Sequence, residues 1–414
     1  MTADFFYDEW GRRRPGDRRD LARAGRLLGL LAPPPLPTLT VVGSKGKGTA
    51  ATYASALLAA AGCRVVTVTS PGLRHDTDRI RVDGVAVSGR DLAALGRRLS
   101  DAARTLPPPG AGYLSPSALF TLAGLSVALD AGPDGAVLEA GMGGASDEVG
   151  LVPPTVVAIT TVFGGHLDVL GDTPAEIAAD KAGVVAELTR AVVSLPQTPD
   201  VAAAIDATVA GRTGRRAEVI TDTAPEGASA LREPAPLAGF PAPAMRSGLH
   251  RPNALLGCAA ARRLLEATGR PAPDPARAAG VLASVRLPGR LSWHTIPGAT
   301  VLLDSAVEAD GAAAALAEAY RRWDRVDHVL VCLPDHKDLE GVLSALGGLP
   351  VTTVRMPDRE SLRFTRTRDG LDIADLTPGR LAAFGERIVV LGTVYFTGRV
   401  LDLLDADTTR LFAG

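Results

Sequence analysis

A glycine-rich turn, Gly43-Ser44-Lys45-Gly46-Lys47-Gly48-Thr49, stands between a short apolar run, Leu39–Val42, and an alanine-rich stretch from Thr49 to Ala61. No other feature restricts the fold so strongly. Leu39–Val42 has the length and composition of a strand buried on both faces, and Thr49–Ala61 reads as a helix that Gly62 stops. Arg64–Thr69 (RVVTVT) supplies the next strand. Strand, loop, helix and strand in that order form a βαβ unit, which implies parallel strands covered by helices. The alternation continues with a helix near Pro116–Asp130, strands at Ala136–Glu139 and Thr155–Thr161, a helix at Pro174–Ala186 and a strand at Ala191–Leu195. The expected class is α/β, with a doubly wound, mainly parallel sheet.

The flanks complete the layout. The charged run Gly11–Asp20 is expected to be a solvated arm, with a role in covering a substrate as the lesser reading. It leads into an amphipathic helix, Leu21–Leu31, which Pro33, Pro34 and Pro35 end. Ala224–Ala244, rich in Pro, Ala and Gly, reads as a loop before helices at Pro252–Thr268 and Asp274–Val285. Pro288 and Gly289 mark the domain boundary, giving domains at residues 1–287 and 288–414. The second has strands at Thr300–Asp304, His328–Leu333, Val351–Arg355 and Arg387–Leu391, with helices between. It is a smaller α/β domain.

Composition narrows the function. Lys+Arg 44 against Asp+Glu 46 leaves no basic excess for a nucleic-acid or membrane partner. No apolar run reaches the roughly 18 residues of a membrane span, and the polar start is no signal peptide. Cys63, Cys258 and Cys332 match neither a disulfide framework nor a zinc spacing, as expected of reduced core thiols in a cytoplasmic protein. Only four of the basic residues are lysines: Lys45, Lys47, Lys181 and Lys337. A lysine kept in so arginine-rich a chain points to a need for a compact, titratable amine.

Between a buried strand and a helix N-terminus, the turn sits where a phosphate cradle must. Glycines let backbone N–H groups face an anion, the helix end adds partial positive charge, and Lys47 would reach the outer phosphates. The motif is not a strict Walker pattern, because Gly48 separates Lys47 from Thr49. Three further residues close strands at the same expected edge: Ser70 in Thr69-Ser70-Pro71, Glu139 in VLEAGMGG, and His166 in FGGHLD. In a parallel sheet the carboxyl ends of the strands share the ligand-binding edge. A hydroxyl, a carboxylate and an imidazole there could hold magnesium beside the phosphates. The alternative is a core-edge glutamate with a hydrogen-bonded histidine. Lys181 follows on a helix that Asp172 or Thr173 caps, with Pro174 in its first turn. As a bland surface residue it would pair with Glu176 or Asp180.

Together these residues resemble the folylpolyglutamate synthase and dihydrofolate synthase branch of the Mur ligase superfamily. The segments carrying the resemblance run nearly the whole length of the chain: VVGSKGKGT, TSPGL…DRIRVDG, VLEAGMGGASD, GHLDVLGDTPAEIAADKAGVV, HRPNA, LPGRL, LLDSA, DHKD and LGTVYFTG. The resemblance implies a P-loop ATPase domain and a C-terminal Rossmann-like domain, with the active site in the cleft, in a monomer. It implies an ATP-dependent, ADP-forming carboxylate–amine ligase. The γ-phosphate passes to a substrate carboxylate, and the amine of glutamate or another amino acid attacks the acyl phosphate. Gly43, Ser44, Lys45, Gly46, Lys47, Gly48 and Thr49 would hold phosphates. Ser70, Glu139 and His166 would hold the first magnesium, and a carbamylated Lys181 a second. Asn253 and Arg290 would contact the nucleotide, and Asp304 its ribose.

The chain departs from the family at several points, some of them on the substrate side of the cleft the resemblance implies. Lys45 replaces the loop asparagine, Gly72 the SPHL histidine, and Gly165 the aspartate before the metal histidine. Asp304-Ser-Ala-Val-Glu308 replaces a DGAHN-type motif. Alongside a folate-like acceptor, these departures keep two readings open: the same chemistry on a specialised-metabolite carboxylate, and a nucleotide-binding regulatory protein without turnover.

Overall fold

The computed structural model describes residues 3–14, 16–107, 110, 112–164, 170–221, 250–358 and 362–414. The chain divides into two units. The first comprises Met1–Gly72, Thr77–Val285 and Arg410–Gly414, and the second Leu73–Asp76 and Arg286–Thr409.

Strands of the first unit are β1 (Arg18–Arg19), β2 (Thr38–Val42), β3 (Val65–Val68), β4 (Ile80–Val82), β5 (Val85–Ala86), β6 (Gly112–Tyr113), β7 (Gly135–Glu139), β8 (Val156–Ile159), β9 (Ala191–Ser194) and β10 (Glu218–Val219). Eight of them form one sheet in the order β10-β9-β8-β2-β7-β3-β4-β5. From β10 to β3 the pairs are parallel, while β4 and β5 add an antiparallel edge. The doubly wound, mainly parallel reading holds. The antiparallel edge went unread because each of its strands is too short to show a period.

Strand β2 is buried throughout, and so are all residues of the Lys47–Ala60 helix except Lys47 itself. A helix with no polar face must be covered on every side, and alanine lets its neighbours come close. The His250–Ala267 helix packs on it so tightly that a Cβ at Gly257 would collide with the carbonyl oxygen of Ala50. Gly257→Ala is therefore expected to push the two helices apart, with a loss of about 1–3 kcal/mol. The melting temperature should fall by several degrees; an unchanged value would mean that this contact is not made.

The N-terminal run differs from expectation. Arg18 and Arg19 form β1, which pairs in parallel with β6. The Arg19 side chain is only 16% exposed and ion-pairs with Asp147 and Glu148. A solvated arm was expected because the partners lie more than a hundred residues away, where local charge counting does not reach.

In the second unit β11 (Ser292–Ile296), β12 (Ala299–Asp304), β13 (His328–Cys332), β14 (Val351–Arg355), β15 (Leu371–Asp372) and β16 (Arg387–Gly392) are ordered β11-β12-β16-β13-β14-β15. All pairs but the β11–β12 hairpin are parallel. Alternate residues feed two cores, with Leu302, Val329 and Val331 in one and Val301, Leu303 and Leu330 in the other. This is the sandwiched pattern of a parallel sheet with helices on both faces. Among the described residues no helix is long and apolar enough to cross a membrane.

Candidate functional site

Strand register brings the glycine-rich loop, Ser70 and Glu139 to one edge. Val41 of β2 lies opposite Glu139 of β7, and Val68 of β3 opposite Leu138. The glycine-rich loop, Ser70 and Glu139 therefore all leave the sheet at its carboxyl end. In a doubly wound fold this is the edge where ligands bind.

The loop is held from both sides. Gly43 has φ +137° and Gly46 +88°, and a Cβ at either would collide, with Thr160 and with the Asn253 side chain respectively. Only glycine meets both demands. The Ser44 amide donates to the Thr161 carbonyl at 3.0 Å, and its Oγ lies 3.2 Å from Phe163 O. Lys47 is the first helical residue rather than a loop residue, and its Nζ donates to the Gly43 carbonyl at 3.1 Å. Thr49 is fully buried, and among the described residues its Oγ1 meets no hydrogen-bond partner; neither does Thr160 Oγ1. An unsatisfied buried hydroxyl costs about 1–3 kcal/mol, and two of them around a glycine loop at a helix N-terminus fit a site that a ligand completes. Asn253, predicted from the resemblance alone, is thus placed against the loop. Thr160 was missed, because it carries no motif.

Glu139 is only 4% exposed, and its Oε2 accepts the Ser70 amide at 3.0 Å. Two of the three predicted metal ligands are thus in contact. The third, His166, lies outside the described residues together with Gly165. The donors present are hard oxygens, the type magnesium takes when substrate phosphates supply most of its other ligands.

Lys181 is not a surface lysine. It sits in the last turn of the Pro174–Ala182 helix, which Thr173 and Glu176 start with a capping box, and it is 4% exposed. The helix stops at Ala182 rather than Ala186, with Gly183 at its C-cap. Burial, helped by the charge of Lys47, lowers the Lys181 ammonium to about 8, against the opposing pull of Asp180 and Asp147. Lys47 and Lys181 therefore share one electrostatic environment. Beside them, Asp180 fastens the loop after Glu139. Its carboxylate accepts from Gly144 N at 2.9 Å, Ser146 N at 3.1 Å and Ser146 Oγ at 3.0 Å. The sequence offered Asp180 only as a surface partner for Lys181 and not as a clamp, since an aspartate next to a lysine on a helix suggests only a local ion pair.

In the second unit Asp304 ends β12, and its Oδ2 accepts the Leu291 amide at 2.7 Å. Ser305 Oγ donates to the Gly289 carbonyl at 2.8 Å. Asp304 and Ser305 thus brace the turn that carries half-buried Arg290. Asp335 of the DHKD segment accepts from Thr365 and from Arg366 N, and Asp338 caps a helix, so both organise local loops.

A cavity of about 400 Å³ opens at the other edge of the first unit, where β9 begins, among Arg190, Arg215, Arg216 and Arg263. The helices Pro199–Thr213 and His250–Ala267 end there, so these cations face the negative ends of helix dipoles. Arg263 is already paired with Glu218 and Glu266. The glycine-rich loop, Ser70 and Glu139 lie at the opposite edge of the sheet.

No protein-family model matches the chain. In sequence it is 31% identical over 180 residues to a dihydrofolate synthase/folylpolyglutamate synthase of Bacillus subtilis, covering 43% of this chain and 42% of that one. The corresponding Escherichia coli enzyme is 31% identical over 172 residues, covering 42% and 39%. The chain thus aligns with about two fifths of the length of these curated relatives. In structure it matches the apo form of L. casei folylpolyglutamate synthase with a TM-score of 0.79 at 22% identity, covering 98% and 99% of the two chains. It matches a Mycobacterium tuberculosis folylpolyglutamate synthase complexed with ADP and AMPPCP at 0.75 and 23% identity, covering 98% and 100%. The fold of these synthases extends over essentially the whole chain.

Proposed function

We propose that this chain is an ATP-dependent carboxylate–amine ligase of the folylpolyglutamate synthase type. It would move the γ-phosphate of ATP to a substrate carboxylate and let the amine of an amino acid, glutamate first among candidates, displace phosphate from the acyl phosphate. The observation that carries this reading is the glycine loop with its unsatisfied Thr49 hydroxyl, on the same sheet edge as Glu139 and in the electrostatic reach of Lys181. Sequence kinship to named synthases and likeness to an AMPPCP-bound and a folate-bound synthase support it.

The residues divide the work by charge. Loop amides and the helix N-terminus would cradle the phosphates, and the Lys47 ammonium would leave the Gly43 carbonyl for the outer phosphate oxygens. Thr49 Oγ1 would gain the partner it lacks. Ser70, Glu139 and His166 would hold magnesium, with Lys181 as a carbamate holding a second ion. Asn253, Arg290 and Asp304 are proposed to contact the nucleotide. Magnesium bound there would neutralise the charge that spreads over the transferring phosphoryl group. The buried, unpaired thiols of Cys63, Cys258 and Cys332 suit a reducing, cytoplasmic setting.

For the acceptor, Gly72, Gly165 and the Asp304–Glu308 segment favour a second reading, a specialised-metabolite carboxylate in place of folate. The test is ADP release and amide formation across a panel of folate-type and other carboxylates with the common amino acids. Amide and ADP should appear together and only when acid, amino acid and ATP are all present. ATP binding without turnover on any pair would instead support the regulatory reading. Within that assay Glu139→Gln should raise the magnesium concentration giving half-maximal rate by about tenfold or more, as for disturbed metal sites. An unchanged magnesium dependence would remove Glu139 from the site.

A further inference from the structure

The N-terminal charge run is built into the candidate site. Its backbone is pinned on both sides of Arg19: β1 pairs with β6, Asp20 N donates to the Tyr113 carbonyl, and Asp20 caps the Leu21–Leu31 helix. Glu9 adds a second stitch, accepting Leu114 N at 2.7 Å while binding Arg23. Arg19 then reaches inward. Its Nη1 lies 3.2 Å from the Met142 carbonyl, 2.8 Å from Asp147 Oδ2 and 3.3 Å from Glu148 Oε2. Asp147 is fully buried and also accepts Met142 N and Val149 N, and Ser115 Oγ donates to Glu148. One guanidinium therefore gathers the loop 141–149 into a single conformation.

That loop leaves β7 directly after Glu139. Asp180 grips its other side, and Gly144 is pressed so closely on the backbone of Lys181 that a Cβ there would collide. The loop thus has two clamps, Arg19 from the N-terminal segment and Asp180 from the Lys181 helix. A buried ion cluster is weak evidence for stability and better suited to specifying one geometry. We infer that Arg19 is a positioning residue that fixes loop 141–149, and through it the placement of Glu139 relative to Lys181. The catalytic consequence rests on the ligase reading above; the mechanical one does not.

Without Arg19, two adjacent buried carboxylates lose their common cation and the loop must open to hydrate them. Displacement of site groups by about 1 Å costs on the order of a hundredfold in rate. The experiment compares wild type, Arg19→Gln and Arg19→Lys by amide hydrogen exchange and by ATP-dependent turnover. Arg19→Gln should raise exchange in a peptide spanning 141–149 by about tenfold or more, with the Lys47–Ala60 helix still protected. Its kcat should fall by at least about tenfold while KM for ATP stays within about twofold, because the phosphate loop is untouched. Arg19→Lys keeps a charge on a compact ammonium in place of the planar guanidinium and should fall between. It also serves if Arg19→Gln does not fold. A folded Arg19 variant with wild-type exchange in 141–149 overturns the clamp. A loosened loop with unchanged kcat overturns the positioning role. A loosened loop in a protein whose wild type forms no amide upholds the clamp and overturns the ligase reading instead.

Discussion

Lys47→Ala should abolish measurable ATP turnover, with a loss of at least about a thousandfold in kcat, and leave the fold standing. Both halves follow from where the side chain sits. It is half-buried at the first position of a helix, and its Nζ bonds a carbonyl of its own loop, Gly43. The charge matters only when phosphate arrives, because removing one preorganised donor from a developing anion costs about 10²–10³ in rate, and a full cation in a water-poor loop costs more. Thermal unfolding should stay within a few degrees of wild type. The substitution should also be felt at Lys181, since the charge of Lys47 helps to hold that ammonium at about 8. Near wild-type turnover in a folded Lys47→Ala protein would mean that this turn is not the phosphate site.

How much of this was legible in the residues depends on whether the cause was local. The loop was, because glycine, lysine and a helix start within one turn leave few other uses. Glu139 and Ser70 were, because β-strand ends are readable and parallel topology sends them to one edge. Lys181 stood out by rarity, but its burial did not: its backbone is packed against Gly144, in a loop distant in sequence. Thr160 became visible only when the position of Gly43 showed what a side chain there would strike. Arg19 was hidden most deeply. A run of arginines before a helix reads as solvated, and its buried partners are Asp147 and Glu148, brought to it by the pairing of β1 with β6. The substrate remains illegible for a physical reason. Lys45, Gly72, Gly165 and Glu308 stand where the chain departs from the family pattern, so that pattern does not say what they meet.

Lys181→Arg should lose most activity, by about a hundredfold or more, although charge and approximate bulk are kept. An ordinary lysine at pH 7 carries a neutral amine in about one molecule in three thousand; one held at about 8 does so in about one in ten. Only the neutral amine adds carbon dioxide. The new bond joins Nζ to the carbon, a proton leaves the nitrogen, and the product is an anion with two oxygens suited to a hard cation. A guanidinium cannot follow, because it stays protonated. The bare ammonium would meanwhile repel a metal ion and Lys47 alike. The depressed value also has a thermodynamic sign. The unfolded chain holds this proton more tightly than the folded one, so stability rises with pH between about 8 and about 10.5 and is penalised below, by roughly 3 kcal/mol at neutral pH. In buffer stripped of carbon dioxide the wild type should therefore gain stability through that window, and Lys181→Met, with no proton to lose, should not. Added bicarbonate should raise wild-type turnover, and a short carboxylic acid should restore part of the activity of Lys181→Ala. Full activity in Lys181→Arg would sink the carbamate, leaving Lys181 as a buried lysine whose amine the reaction does not need.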